Sequence, residues 1–125
     1  MSFEADLRTR VKTAVAGQTS VVAWTERPQA SAWPAVVLQI VADDREQHMK
    51  GFAGYRATRV QIDCLATSRT AAIALREAVL TVVEAATVGS TTFLRGFVNT
   101  IFDGGQNTAT EFVHREVLDL TIWHN

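Results

Sequence analysis

Three histidines, His48, His114 and His124, are the side chains of this sequence best suited to bind a metal ion or to transfer protons. His114 lies in a predicted strand and His124 follows its last residue, so an extended chain separates the two side chains by ~33 Å. Ligands of one metal ion lie within ~2 Å of it, so these two side chains cannot bind the same ion within one chain. We interpret the histidines as structural or solvent-exposed groups.

Cys64 and several serines are the candidate nucleophiles. Cys64 alternates with Val60 and Ile62 on the apolar face of a predicted strand, where burial disfavours the thiolate. Ser68 is better explained as the N-cap of a helix. A hydrolase of the Gly-x-Ser-x-Gly kind is excluded because no such motif surrounds Ser20, Ser31, Ser68 or Ser90. We therefore expect that the protein is not an enzyme.

Neighbouring acidic residues and glycines could bind a cation or a phosphate group. Asp43 and Asp44 follow a predicted strand, and Asp103 opens a predicted turn, but no third ligand follows at the spacing of a calcium loop. Gly104 and Gly105 lack the lysine and the helix start of a phosphate-binding loop. We expect neither a metal nor a cofactor.

One polar segment, residues 43–54, separates two strands and predicts a long hairpin arm rather than a tight turn. Basic and aromatic residues alternate around it, as in proteins that stack nucleic-acid bases, but acidic residues offset the charge. Contact between subunits is the favoured interpretation. The predicted interface comprises Arg45, Gln47, His48, Lys50, Phe52, Tyr55 and Arg56. Trp24, Trp33 and Trp123 are interpreted as core or interface anchors.

Size and charge limit the broad class of the protein. The chain has 125 residues and a formal net charge of −1, which favours one domain, 1–125, and no general attraction to nucleic acid. The longest uncharged run, 28–42, is shorter than the ~20 residues of a membrane span. A single cysteine and an acidic N-terminus favour a reducing cytoplasm over secretion.

Hydrophobic periodicity predicts the element order α-β-β-β-α-β-β. A stripe of Phe3, Leu7, Val11 and Val15 marks the first helix, and a second helix begins after Ser68 and closes at Gly89. Strands are predicted at 20–25, 35–41, 55–65, 94–102 and 111–123. The fold class is α+β, with a mixed, largely antiparallel sheet, two helices on one face and the character of a split βαβ unit.

In that unit the last strand inserts between the third and the fourth. One register then places Arg59 opposite Asp119 and Asp63 opposite Arg115, so that oppositely charged side chains pair across the strands. The same register sets Tyr55 near Trp123.

Four segments in this order resemble the tail-completion, or tail-terminator, proteins of long-tailed bacteriophages. They are the strand start Pro34-Ala35-Val36-Val37, the strand Arg59-Val60-Gln61-Ile62-Asp63, the alanine-rich helix 67–80 and the closing segment 114–124. The resemblance implies a homohexameric ring at the head-proximal end of the tail that ends tube polymerisation. Its implied partners are other copies of itself, the tail tube protein and the head-tail connector, with DNA passing through the ring without sequence-specific binding.

The implied location is the virion tail, after assembly in the host cytoplasm, and no membrane is involved. Similar proteins occur in infectious phages, prophages and gene transfer agents. Two alternatives remain open at this point. One is another ring protein of the neck or of head completion, and the other is a small cytosolic ferredoxin-like binding domain or enzyme subunit.

Overall fold

The computed structural model describes residues 3–18, 22–24, 34–48, 51–89, 91–107 and 112–124. Two α-helices and a curled, mixed sheet of seven strands form the α+β fold predicted from the sequence. Neither described helix has the length and apolar character needed to span a bilayer. The elements are α1 (Phe3–Ala14), β1 (Val22–Trp24), β2 (Ala35–His48), β3 (Gly51–Ala66), α2 (Arg69–Val79), a 3₁₀ turn (Leu80–Val83), β4 (Ala86–Val88), β5 (Thr91–Phe93), β6 (Phe97–Asn107) and β7 (Phe112–His124).

The strands follow the order β1-β2-β3-β7-β5-β4, and β6 pairs with β7 outside this path. Only β1 and β2 are parallel among the described pairs, and all the others are antiparallel. The last strand therefore lies between β3 and β6, as predicted for a split βαβ unit. This arrangement leaves β6 with β7 as its strand partner among the described residues.

The hydrophobic core fills the space between the helices and one face of β2, β3 and β7. The predicted stripe of α1 is buried, and on α2 the side chains of Ala72, Leu75 and Val79 are buried as well. They contact a cross-strand layer in which Leu38 lies opposite Ile62 and Ile62 lies opposite Leu118. Both helices thus cover the same face, because only that face of the sheet is apolar along all three strands.

The second helix is shorter than predicted. The side-chain oxygen of Ser68 caps it by accepting a hydrogen bond from the amide of Ala71 at 3.1 Å, as expected. The α-helix ends at Val79, however, and a 3₁₀ turn of Leu80–Val83 follows. The prediction that the helix continues to Gly89 is wrong, since β-branched side chains in this turn favour a helix weakly.

Gly89 has a different role from the predicted helix cap. It lies in the turn between β4 and β5, two short strands that the sequence analysis missed, and its φ of 58° is in the left-handed region. The buried carboxylate of Asp6 lies directly beside its Cα, so a side chain at this position would collide with it. The turn also brings the Thr91 hydroxyl to Asp6, to which it donates a hydrogen bond.

The predicted strand boundaries also change. β6 begins at Phe97 rather than at residue 94, and the predicted turn 103–107 is part of this strand. Glycines at 104 and 105 favoured a turn, but pairing with Arg115 and His114 of β7 keeps the backbone extended. β2 and β3 are longer than predicted because they continue into the hairpin.

Candidate functional site

The hairpin arm, here residues 42–56, is formed by the distal parts of β2 and β3. Its strands pair with each other up to His48 opposite Gly51. β1 pairs with β2 only at residues 36–38, and β7 pairs with β3 only as far as Arg56. Within the described part of the chain, most of the arm is therefore a two-stranded ribbon, and such a ribbon is only marginally stable without further packing.

The predicted interface residues lie on both strands of this ribbon. Arg45, Gln47 and His48 belong to β2, whereas Phe52, Tyr55 and Arg56 belong to β3, with Arg45 opposite Arg56 and Gln47 opposite Phe52. Lys50 lies outside the described residues. The structure brings these positions together along one hairpin, but their contact with another subunit stays a prediction.

An apolar surface lies on β6, a second edge of the sheet. Phe97 and Phe102 face the side of the sheet away from the helices, and Val98 and Ile101 face the helix side. All four side chains are between 39% and 56% exposed. We call these four residues the β6 apolar surface. The sequence analysis assigned this segment to an ordinary strand, although its uncharged run from Phe97 to Phe102 could have drawn attention to it.

A smaller apolar surface lies at the base of the hairpin arm. Ile40 is 36% exposed and Val41 is 48% exposed, and we call this pair the β2 apolar surface. The register between β2 and β3 shifts between Ile40 and Ala42, so Val41 is the additional residue of a bulge. These two residues and the β6 apolar surface account for the large exposed hydrophobic side chains in the described part of the chain.

Two ion pairs cross the face of the sheet away from the helices. Arg59 Nε donates to Asp119 Oδ1 at 2.9 Å, and Arg115 Nε donates to Asp63 Oδ2 at 3.0 Å. Both predicted pairs therefore form, but the predicted register is wrong by two residues. Arg59 lies opposite Thr121, and Trp123 lies opposite Ala57 rather than beside Tyr55. Long side chains reach the diagonal neighbour, so charge complementarity alone could not determine the register.

A second charged cluster, in which Glu116 is buried, joins α2 to β6 and β7. Arg76 Nη1 donates to Glu116 Oε1 at 2.9 Å, and Arg69 pairs with Asp103 at 3.5 Å. Burial, followed by the hydrogen bond and charge of Asp103, raises the pKa of Glu116, whereas Arg76 acts to lower it. Sequence analysis missed this cluster because Glu116 occupies a core-facing strand position, where an apolar residue is expected.

Cys64 and His124, two of the candidate catalytic residues, are both buried. Burial raises the pKa of the Cys64 thiol to about 12, so the thiol is protonated at neutral pH. His124 is buried, stacks on Phe3 with ring centroids 3.7 Å apart, and lies 2.7 Å from the Thr58 hydroxyl. The His124 ring therefore links β7 to α1 through Phe3 and to β3 through Thr58. Among the described residues, His, Cys, Asp and Glu side chains form no group of three suited to a metal ion.

The sequence matches the model of the family described as tail completion protein gp17 over residues 5–123. The chain belongs to this family. No curated protein matches the sequence. The fold is similar to that of a chain in the virion of a native gene transfer agent particle, with a TM-score of 0.61 and 9% sequence identity over 99% of this chain and 96% of the other.

Membership gives this tail completion protein a structural role in a phage-type tail and confirms the resemblance seen in the sequence. A structural role agrees with the geometry, in which the exposed apolar side chains lie along strands and the charged side chains pair within the subunit.

Proposed function

We propose that the protein forms a six-fold ring at the head-proximal end of a tail, where it ends polymerisation of the tail tube and joins the tail to the head connector. Each subunit is one tail-completion domain, 1–125. The ring assembles in the host cytoplasm, becomes part of the virion, and lets DNA pass without sequence-specific contacts. Family membership over residues 5–123 is the observation that carries this proposal.

The hairpin arm supports the self-association part of the proposal. A ribbon that has no third strand among the described residues gains stability when a neighbouring molecule covers it. In the proposed ring, residues Arg45, Gln47, His48, Lys50, Phe52, Tyr55 and Arg56 contact the next subunit. The sequence of the arm carries both signs of charge, which suits complementary contacts between copies better than binding to DNA.

Tail tubes polymerised from the purified tube protein of the same particle test the proposed function. Adding this protein should limit tube length and place additional density at one end of each tube in negative-stain electron micrographs. Unchanged tube lengths together with bare tube ends would contradict tube termination. Binding to the purified connector without binding to tubes would instead indicate another ring protein of the neck.

A charge-reversal variant of the arm tests its contribution. Arg45→Glu combined with Arg56→Glu should weaken self-association and tube-end binding by at least tenfold, measured by sedimentation and by electron microscopy. Thr87→Glu is the matched control, since Thr87 is an exposed strand residue on β4, outside the arm. Equal assembly of the arm variant and the control would remove the arm from the interface.

A further inference from the structure

We infer that the subunits associate head to tail by edge-to-edge strand pairing. The edge of β6 that has no partner among the described residues receives, from the next copy, the edge of β2 at Ile40 and Val41, which likewise has no described partner. This inference rests on the proposed self-association and assigns its contact surfaces. The occupant of the β6 edge is therefore a second copy of this chain.

The β6 edge has the features of a strand that is covered in the functional state. β6 runs for 11 residues, Phe97–Asn107, and β7 is its strand partner in the described structure. Soluble proteins usually protect such an edge with lysine, proline or a very short strand. β6 contains neither lysine nor proline, and Asp103 is its single charged residue. Four large apolar side chains are also exposed on it.

The β2 edge offers the second half of the contact. Among the described residues, β1 pairs with β2 at residues 36–38, and the outer side of β2 beyond Leu38 has no described strand partner. Ile40 and Val41 are exposed just where this unpaired edge begins. A ring with rotational symmetry needs two different surfaces on each subunit, and the described residues carry two exposed apolar surfaces.

The strand directions make the two edges compatible. β2 is antiparallel to β3, β3 to β7, and β7 to β6, so β2 and β6 run in opposite directions at opposite sides of the sheet. When the sheet is repeated by rotation about an axis along its strands, β6 of one copy meets β2 of the next in antiparallel orientation. Antiparallel pairing satisfies the free backbone groups of both edges and buries both apolar surfaces.

Complementary variants test the head-to-tail contact. A β6 variant carries Val98→Lys and Phe102→Lys, and a β2 variant carries Val41→Lys. The replaced side chains are 43%, 47% and 48% exposed, so each variant should keep its fold, as checked by circular dichroism and thermal unfolding. Thr87→Lys on the exposed side of β4 is the control and should assemble like the wild type.

Sedimentation of the separate and mixed variants gives the decisive result. The wild type should form a closed oligomer, and each variant alone should be monomeric. A mixture in equal amounts should stop at a heterodimer, because it contains one intact β2 edge and one intact β6 edge that can still pair. A β2 variant that dimerises by itself would show β6 pairing with β6 and would overturn the head-to-tail assignment.

The remaining outcomes separate this inference from the proposed function. The assigned surfaces would be overturned if either variant formed normal oligomers, or if both variants were monomeric and their mixture stayed monomeric. A ring with other contacts would remain compatible with both results. A wild type that stays monomeric up to near-millimolar concentration would overturn the inferred interface. The tube-length measurement then decides independently whether the protein ends tail tubes.

Discussion

β6 and β7 are adjacent strands whose apolar side chains have different environments. Leu118 and Leu120 on β7 are fully buried, whereas their cross-strand partners Ile101 and Val98 on β6 are 39% and 43% exposed. Hydrophobic stabilisation grows with the area removed from water, so only β7 uses its apolar residues fully within the subunit. The difference shows that the same residue types stabilise the fold on one strand and remain available to a partner on the next.

The charged residues of the two strands differ in the same way. Glu116 on β7 lies opposite Asp103 on β6, and their side chains are 4% and 56% exposed. Each pairs with an arginine of α2, Glu116 with Arg76 and Asp103 with Arg69. The helix therefore anchors the buried strand strongly and the edge strand weakly, since exposed ion pairs contribute little to stability.

The largest expected effect comes from truncating the buried partner of an apolar pair. Leu118→Ala should lower the free energy of unfolding by about 2–5 kcal/mol, because it removes buried methyl groups and leaves a cavity in the core. Ile101→Ala on the exposed partner should cost less than about 1 kcal/mol in the isolated subunit. Urea unfolding at low protein concentration measures both. Equal losses would show that β6 is as much part of the core as β7.

A smaller effect is expected when the charged pair is truncated. Glu116→Ala should destabilise the fold by about 1–3 kcal/mol, because Arg76 loses a hydrogen bond to a buried carboxylate. Asp103→Ala should change stability by no more than about 0.5 kcal/mol, as is usual for exposed positions. Thermal and urea unfolding of the two variants provide the comparison. A larger loss for Asp103→Ala would place the main anchor of α2 on β6.

The pH dependence of the free energy of unfolding separates the effect of the Glu116 charge from the effect of the packing of its side chain. The pKa of Glu116 in the folded state is raised above the usual 4.5. The contribution of this group to the free energy of unfolding is therefore fully present below pH 4.5 and is lost as the pH rises through the folded pKa. Glu116→Gln removes this component and should give a flatter profile above pH 4.5. Urea unfolding across this range measures the difference, and parallel profiles would show that Glu116 titrates alike in the folded and unfolded states.

The element types were predictable from sequence where the hydrophobic period is regular. The stripe of α1, the alternation of Val60, Ile62 and Cys64, and the insertion of the last strand follow from local pattern and chain topology. β4 and β5 were missed because three-residue strands are too short to show alternation. The residues of β4 were joined to the preceding helix, and those of β5 fell between that helix and the strand predicted from residue 94. Boundaries in the 80–97 region depend on tertiary contacts with α1.

The candidate surfaces were only partly predictable. The arm was visible from its glycines and its polar sequence between two strands. For the β6 apolar surface the uncharged run was a weak signal, because an apolar strand has the same composition whether it is central or at an edge. Only the strand order reveals which strand lacks a second neighbour. Burial of Asp6 and Glu116 likewise depends on partners far away in sequence, Thr91 and Arg76.

The smallest expected effect comes from the ion pair on the open face of the sheet, which joins Asp119 of β7 to Arg59 of β3. The hydrogen bond from Arg59 holds the pKa of Asp119 below its usual 3.8. Its contribution to stability is therefore present above pH 3.8 and is lost as the pH falls through the folded pKa, the opposite direction to that of Glu116. Asp119→Asn should abolish this loss of stability at low pH and have little other effect, since the Arg59 side chain is 50% exposed and solvent screens the ion pair. Urea unfolding of the wild type, Asp119→Asn, Arg59→Gln and the double variant at several pH values measures the coupling between the two side chains. A coupling as large as that between Arg76 and Glu116 would mean that the open face is covered in the subunit, and the contrast between buried and exposed sides of β7 would then fail.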